Sequence, residues 1–435
     1  MNNKISGEKR VLILTLGCSK NVVDSEFLLG DLKANGYEIS YDLKKTDIVI
    51  INTCGFIDKA KQESVQVITD MCHLKKTKKI RKVYVVGCLA QRYKSELKGQ
   101  MRLVDGFFGV TANEEIIRDL SGKDDFLSYY KRELLTPSHY AYLKISEGCS
   151  HSCSFCAIPF IRGKHISRPM EELVAEAENL VALGVKEINL IAQDTTYYGQ
   201  DLYGRRCLEE LLEKLSDVNN LKWLRLMYTY PTSFRTEVLK VMAERDNICK
   251  YIDIPLQHIS DNVLSSMKRG MDKNKIIELL AQIRDIVPNV SIRSTFIVGY
   301  PNETEKDFSE LYDFLNTAKL DRVGIFTYSH EDDTPAYELK DSISPKIKEE
   351  RKDTLMKLQS QISLQKNKNK VGKILKVLID EKVSSDTYLG RTEHDAPEVD
   401  NSVHIKSQQE LKPGDFVEVK ISEAEEYDLF GSLWK

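Results

Sequence analysis

The 435-residue chain has no apolar run approaching the ~18 residues that a membrane-spanning helix needs. Its opening stretch, MNNKISGEKR, has none of the apolar core that leads a chain into the secretory route. These two absences argue for the cytoplasm. A strong charge bias is also missing: 63 Lys and Arg against 66 Asp and Glu leave a net of −3, so bulk charge does not mark a nucleic-acid binder. Nor can the cysteines all pair. There are nine, at 18, 54, 72, 88, 149, 153, 156, 207 and 249, and an odd set in a reducing compartment suits metal or redox chemistry better than a disulfide framework.

The most informative absence is a fourth ligand. Residues 148–159 read GCSHSCSFCAIP, which places Cys149, Cys153 and Cys156 in a C-x3-C-x2-C loop. Structural zinc sites usually take two close ligand pairs, and ferredoxin loops add a fourth cysteine before a proline. Here no fourth cysteine follows nearby. His151 and His165 lack ligand spacing, and the isolated Cys207 and Cys249 read as structural. Three thiolates on a four-iron cubane leave one iron open to a substrate or cofactor, much as catalytic metal sites keep one position free.

What is present is an α/β pattern. VLILTL (11–16), DIVIIN (47–52) and KVYVVG (82–87) read as buried parallel strands, with Asn21 as a possible cap for a helix through about Ala34 and a second helix near 58–74. Cys18, Cys54 and Cys88 each follow the carboxyl end of one of these strands, 36 and 34 residues apart. In an open parallel sheet those ends share one edge, where ligands bind, so the three thiols are expected to converge. Cys72 falls within a helical stretch, outside this pattern. Six further strand–helix units, with strands near 142–146, 187–192, 223–228, 251–256, 291–298 and 322–329, predict a partial (β/α)6 barrel over 126–345. A basic linker helix is expected over 346–370. Five short strands over 371–435 predict a small antiparallel β-barrel of the oligonucleotide-binding type.

The triple-cysteine loop, with Phe155 before its third cysteine, matches the signature of the radical S-adenosylmethionine superfamily. The N-terminal triad, YIDIPLQHISDNVLSSMKRG (251–270), IRSTFIVGYPNET (292–304) and the C-terminal barrel extend the likeness, and the whole chain resembles a methylthiotransferase. Its parts would be an N-terminal methylthiotransferase domain (1–125), a radical domain (126–345), the linker helix and a TRAM β-barrel (371–435). The resemblance implies two 4Fe–4S clusters, a radical-generating one on Cys149, Cys153 and Cys156 and an auxiliary one on Cys18, Cys54 and Cys88. It implies two S-adenosylmethionine molecules per turnover, with Phe155, Gln193 and Arg293 near that cofactor and no side chain acting as the catalytic group. It also implies outside donors of sulfur and of electrons, the latter flavodoxin-like.

Within the family, LGCSKNVVDSE (16–26) resembles the RimO-like branch, whose loop runs Gly-Cys-Pro-Lys-Asn and then Val-Asp-Ser-Glu, with Ser19 in place of the proline. That branch modifies an aspartate β-carbon of small-subunit ribosomal protein twelve. The alternative, MiaB-like branch modifies isopentenyladenosine in tRNA and usually reads Gly-Cys-Gln-Met-Asn there. Charge points the same way. Residues 371–435 hold 8 Lys and Arg against 14 Asp and Glu, a net of −6, whereas a barrel gripping tRNA should be positive. An acidic barrel suits a basic ribosomal protein, although the linker helix, at +5, offsets part of it. EHDAPEVD (393–400) resembles the same branch. Direct tRNA binding is therefore not expected, and the basic run HLKKTKKIRK (73–82) reads as a solvated turn.

Overall fold

The computed structural model describes residues 10–122 and 132–434, so the boundary expected at 125–126 lies outside the described residues. None of the described helices is long and apolar enough to cross a membrane. The chain forms two compact units. One takes in the described residues up to Leu135 with Gly148–Ser150 and Ala157–Lys164; the other takes in Thr136–Glu147, His151–Cys156 and the chain from His165 onward.

The first unit is built on a parallel sheet of β1 (Arg10–Thr15), β2 (Glu38–Ile39), β3 (Ile48–Thr53), β4 (Lys82–Gly87) and β5 (Gly106–Phe107), in the order β2-β1-β3-β4-β5. Every residue of β3 is buried, as a central strand covered on both faces requires. Side chains alternate along each strand. Ile13, Ile50 and Tyr84 therefore meet Leu28, Leu29 and Leu32 of α1 (Ser19–Ala34) on one face. Ile51, Val83 and Val85 meet Ile68, Met71 and Cys72 of α2 (Asp58–Lys76) and Leu89 of α3 (Cys88–Gln100) on the other. α4 (Asn113–Ser121) and the five-residue α5 (Ile158–Arg162) complete the unit. The expected cap is corrected here. The N-cap of α1 is Cys18, in an extended conformation and with no side-chain cap bond; Asn21 lies inside the first turn because its amide bonds two strand ends instead. The lysines at 76, 78 and 79 are exposed at the end of α2 and in the turn beyond it.

In the second unit β6 (Tyr140–Lys144) is followed by a short antiparallel pair, β7 (Ser146–Glu147) and β8 (Ile166–Ser167). The chain then winds through α6 (Met170–Ala182), β9 (Glu187–Ile191), α7 (Leu208–Ser216), β10 (Trp223–Leu226), α8 (Thr236–Glu244), β11 (Ile248–Asp253), α9 (Asp261–Ser266), α10 (Lys273–Ile286), β12 (Ser291–Val298), α11 (Glu305–Ala318) and β13 (Arg322–Thr327). The large strands lie side by side in chain order, β6-β9-β10-β11-β12-β13, all parallel. β6 and β13 are the two open edges, so this is a partial (β/α)6 barrel with its connecting loops at the strand carboxyl ends.

α12 (Pro345–Lys368) leads into β14 (Ile374–Lys382), β15 (Thr387–Arg391), β16 (Ser402–Lys406), β17 (Phe416–Ala424) and β18 (Asp428–Leu433), a closed barrel in the order β14-β15-β16-β18-β17. Val377, Ile379, Val403, Ile405, Val419 and Ile421 fill its interior at alternate positions. The barrel is not wholly antiparallel as expected: β16 and β18 run parallel. A ring of five strands cannot alternate direction all the way round, so closure forces one parallel pair.

The loop between β15 and β16 binds one face of the six-stranded sheet through a lattice of charges. Arg322 donates to Asp395 at 3.1 Å, Arg293 to Asp400 at 2.7 Å, and Arg225 to the Glu393 carbonyl at 2.6 Å. Tyr251 also donates to Asp400, and Tyr140 to Glu398. Arg391 joins Glu187 to Asp380, which also binds His139. Strand register sets Tyr140, Glu187 and Trp223 in one row and Asp253, Arg293 and Arg322 in another, which puts these side chains on a common face. Burial opposes charge on Glu187, Asp380 and Asp395. Arg391 and Arg225 outweigh it at Glu187, His139 and Arg391 at Asp380, and Arg322 and Lys370 at Asp395, so all three stay below the usual carboxylate range. The acidity of EHDAPEVD is thus largely internal, so these residues add little outward charge to the net of −6 counted over 371–435. The barrel's outward acid is carried by residues such as Glu410, Glu418, Glu423, Glu425 and Glu426.

Candidate functional site

The carboxyl edge of the first sheet gathers the N-terminal triad. Cys18 lies just beyond β1, Cys54 directly after β3, and Cys88 directly after β4 as the first residue of α3. The thiols lie close enough that Cys18 raises the pKa of both Cys54 and Cys88, and Cys54 raises that of Cys88. Gly17 makes room for this approach: it has φ +93°, and a Cβ there would sit 2.8 Å from Cys54 Cβ and 3.1 Å from its Sγ. Asn21 ties the strand ends together, donating to the carbonyls of Leu16 at 2.7 Å and Thr53 at 3.2 Å. Asn52 in turn donates to the Asn21 carbonyl and to Ser25.

A cation stands beside this triad. Arg162, at the end of α5, donates to Asn21 Oδ1 at 2.6 Å and Asp24 Oδ2 at 2.9 Å. Ala157 and Ile161 of the same segment pack on Cys88. Burial pushes the Cys54 thiol up, and Cys88 up to about 11, while Arg162 pulls both down. In this form the Cys54 and Cys88 thiols are protonated at neutral pH, and loading with metal would displace the protons.

The triple-cysteine loop contributes to both units. Cys149 belongs to the first, where its N–H donates to the Gly163 carbonyl at 3.0 Å. Gly148 beside it has φ +71°, and a Cβ would lie 2.2 Å from the Lys164 carbonyl oxygen, so only glycine fits. Cys153 and Cys156 belong to the second unit. There Ser154 bonds the carbonyls of Met267 and Ser266, and the Ala336 N–H bonds Ser154. Cys153 Sγ lies 3.3 Å from Arg269 Nη1 and 3.4 Å from the Tyr230 hydroxyl. Among the described residues no three His, Cys, Asp or Glu side chains converge on one metal ion; a cluster of several irons, each taking one thiolate, needs them further apart.

The other residues singled out in the sequence are placed as follows. Phe155 packs with Val263, Met267 and Tyr300. Gln193 follows β9, and its buried Oε1 has no hydrogen-bond partner among the described residues. Arg293 pairs with Asp400 in the charge lattice. His151 bonds Asp194 at 2.6 Å and stacks on Tyr230, while His165 bonds Ser167. Cys72, Cys207 and Cys249 are buried.

Sequence reasoning missed Arg162, Tyr230, Arg269 and Gln257. Gln257 left a signal only in its backbone: it has φ +74°, and Tyr228 after the neighbouring strand has φ +57°. Strained non-glycine residues gather at functional sites. The Gln257 Oε1, Ser233 Oγ and Arg269 Nε are also buried without a partner among the described residues; Ser233 and Gln257 follow strand carboxyl ends, and Arg269 lies just beyond α9.

Known proteins match along the same divisions. Family models match residues 10–109 (Uncharacterized protein family UPF0004), 143–315 (Radical SAM superfamily) and 371–433 (TRAM domain). In solved structures the fold resembles the radical S-adenosylmethionine methyltransferase TsrM from Kitasatospora setae, with TM-score 0.58 and 15% identity over 76% of this chain and 74% of that one. Among relatives, the ribosomal protein uS12 methylthiotransferase RimO of Chloroherpeton thalassium is 51% identical over 98% of both chains. The protein of that name from Cytophaga hutchinsonii is 50% identical over 100% of both, and that from Clostridioides difficile 44% over 98% of both. The chain belongs to the RimO family of radical S-adenosylmethionine methylthiotransferases.

Proposed function

We propose that this protein adds a methylthio group to an aspartate β-carbon of ribosomal protein uS12 in the cytoplasm. Cys149, Cys153 and Cys156 hold a radical-generating 4Fe–4S cluster, and Cys18, Cys54 and Cys88 hold an auxiliary one. The observation that carries this reading is the second triad: three thiols from three separate strand ends, braced by Asn21 beside the cation Arg162. Simple methyl transfer by a radical enzyme does not require such a second site.

The residues present fit both groups. An iron–sulfur cluster on three thiolates is anionic, and each triad has a buried guanidinium nearby, Arg162 or Arg269. The unpartnered polar atoms of Gln193, Ser233, Gln257 and Arg269 suit S-adenosylmethionine, which offers an amine, a carboxylate, a ribose and an adenine. When bound, cluster and S-adenosylmethionine supply a radical able to take hydrogen from an unactivated C–H bond, which no general base in a protein can open. The chain's own part is to hold three thiolates at each site, shield them from water and balance their charge. Two S-adenosylmethionine molecules per turnover, a flavodoxin-like electron donor and an external sulfur donor complete the reading.

Mass spectrometry of uS12 and of tRNA from a strain lacking the gene tests it. Loss of the methylthio increment from uS12 alone is expected. Loss from tRNA alone would replace it with the tRNA reading. Iron counting after anaerobic reconstitution should give two clusters per chain, and one after Cys18, Cys54 and Cys88 are replaced by alanine.

A further inference from the structure

Cys153 is the one buried cysteine of the triple-cysteine loop, at 8% exposure, and a chain of aromatic and charged groups leads to its sulfur. Arg269, 4% exposed, donates from Nη1 to Cys153 Sγ at 3.3 Å and from Nη2 to the Pro255 carbonyl at 2.5 Å. Its guanidinium lies 4.2 Å from the Tyr230 ring centroid. The Tyr230 hydroxyl lies 3.4 Å from Cys153 Sγ and donates to the Arg269 carbonyl at 3.2 Å. His151 stacks on the same ring, centroids 3.7 Å apart and planes 9° apart. Asp194 binds His151 at 2.6 Å and accepts from the N–H of Thr196, whose hydroxyl accepts from the Tyr230 N–H. Two residues far from the loop in sequence are thus locked against one sulfur.

We propose that Arg269, held by Tyr230, is a positioning residue that raises the reduction potential of the cluster bound through Cys153. This rests on the reading of Cys149, Cys153 and Cys156 as the radical-cluster ligands. Hydrogen bonds to cluster sulfurs and nearby positive charge both favour the reduced, more negative state. The cation–π contact fixes the guanidinium where its N–H meets the sulfur, and the His151 stack fixes the tyrosine. Arg269 therefore makes the cluster easier for an electron donor to reduce, without touching the substrate.

The test is a redox titration of the reconstituted full-length protein, followed by the EPR signal of the reduced radical cluster. That signal is identified by its loss in Cys153→Ala and its change on adding S-adenosylmethionine. Arg269→Gln should shift the midpoint to more negative potential at unchanged iron content. Tyr230→Phe, which keeps the ring, should shift it less and in the same direction; Arg269→Lys, which keeps the charge, should fall between wild type and Arg269→Gln. A midpoint equal to wild type in Arg269→Gln overturns the inference. Should that variant lose its iron, Tyr230→Phe decides: a negative shift supports the inference, and no shift overturns it. An EPR signal and iron content unaffected by Cys153→Ala would instead remove the cluster assignment beneath it.

Discussion

At the residue scale, Asn21 does the most for its size. One amide closes two strand-end carbonyls, and its oxygen receives Arg162. Asn21→Ala leaves buried carbonyls and a guanidinium short of partners, a loss of about 1–3 kcal/mol for each group left unsatisfied. The expected outcome is a lower melting temperature and preferential loss of iron from the N-terminal triad. Calorimetry, with iron counting in a Cys149/Cys153/Cys156→Ala background, checks both. What could be read at this scale was the local pattern. The C-x3-C-x2-C spacing and the strand-end cysteines are short-range and stood out in the sequence. Arg269 and Tyr230 lie 116 and 77 residues from Cys153, and no spacing rule joins them. Asn21 was noticed for the wrong reason, because an asparagine near a helix start has a cap as its commonest role.

At the scale of elements, strands with an apolar run were legible. KVYVVG and SIRSTFIV occupy the predicted residues, 82–87 and 291–298. The two-residue strands β2 and β5 carry no periodicity and were not read. The partners of the EHDAPEVD loop were not legible, because sequence gives the sign of a charge and not what it pairs with. Arg322 and Asp395 are both almost wholly buried, and removing one member of such a pair typically costs roughly 3–5 kcal/mol. Asp395→Asn should lower the melting temperature accordingly, and an added Arg322→Met should recover part of the loss.

The same lattice sets a pH response. Glu187, Asp380 and Asp395 have folded-state pKa values held below their ordinary values. Their contribution to stability is therefore complete above the usual carboxylate range near ~4 and is lost as pH falls through the lower folded values. Melting temperature should stay level from neutral pH down to about 5 and drop steeply below about 4. Calorimetry across that range should show a shallower drop in Asp395→Asn.

For the whole molecule, the three-part layout of parallel sheet, partial barrel and small closed barrel followed from the alternation of strand and helix patterns. The one parallel pair in the closed barrel did not, since strand direction is fixed by closure and leaves no mark in any single strand. How tightly the closed barrel is held to the six-stranded sheet was also hidden. A chain ending at residue 370 would leave Arg225, Arg293 and Arg322 on the sheet without the carboxylates and carbonyl that now receive them. Such a truncation should elute as aggregate on size exclusion.

The seat of the β15–β16 loop on the sheet bears on how these proteins exchange parts. A barrel grafted from a relative arrives with its own version of residues 391–401, yet half of that lattice belongs to the sheet of the recipient. Chimeras joined at the α12–β14 junction should fold only when donor and recipient agree at both halves. The heritable module therefore runs across the border between sheet and barrel, and recombination that respects the domain boundary would still cut through it.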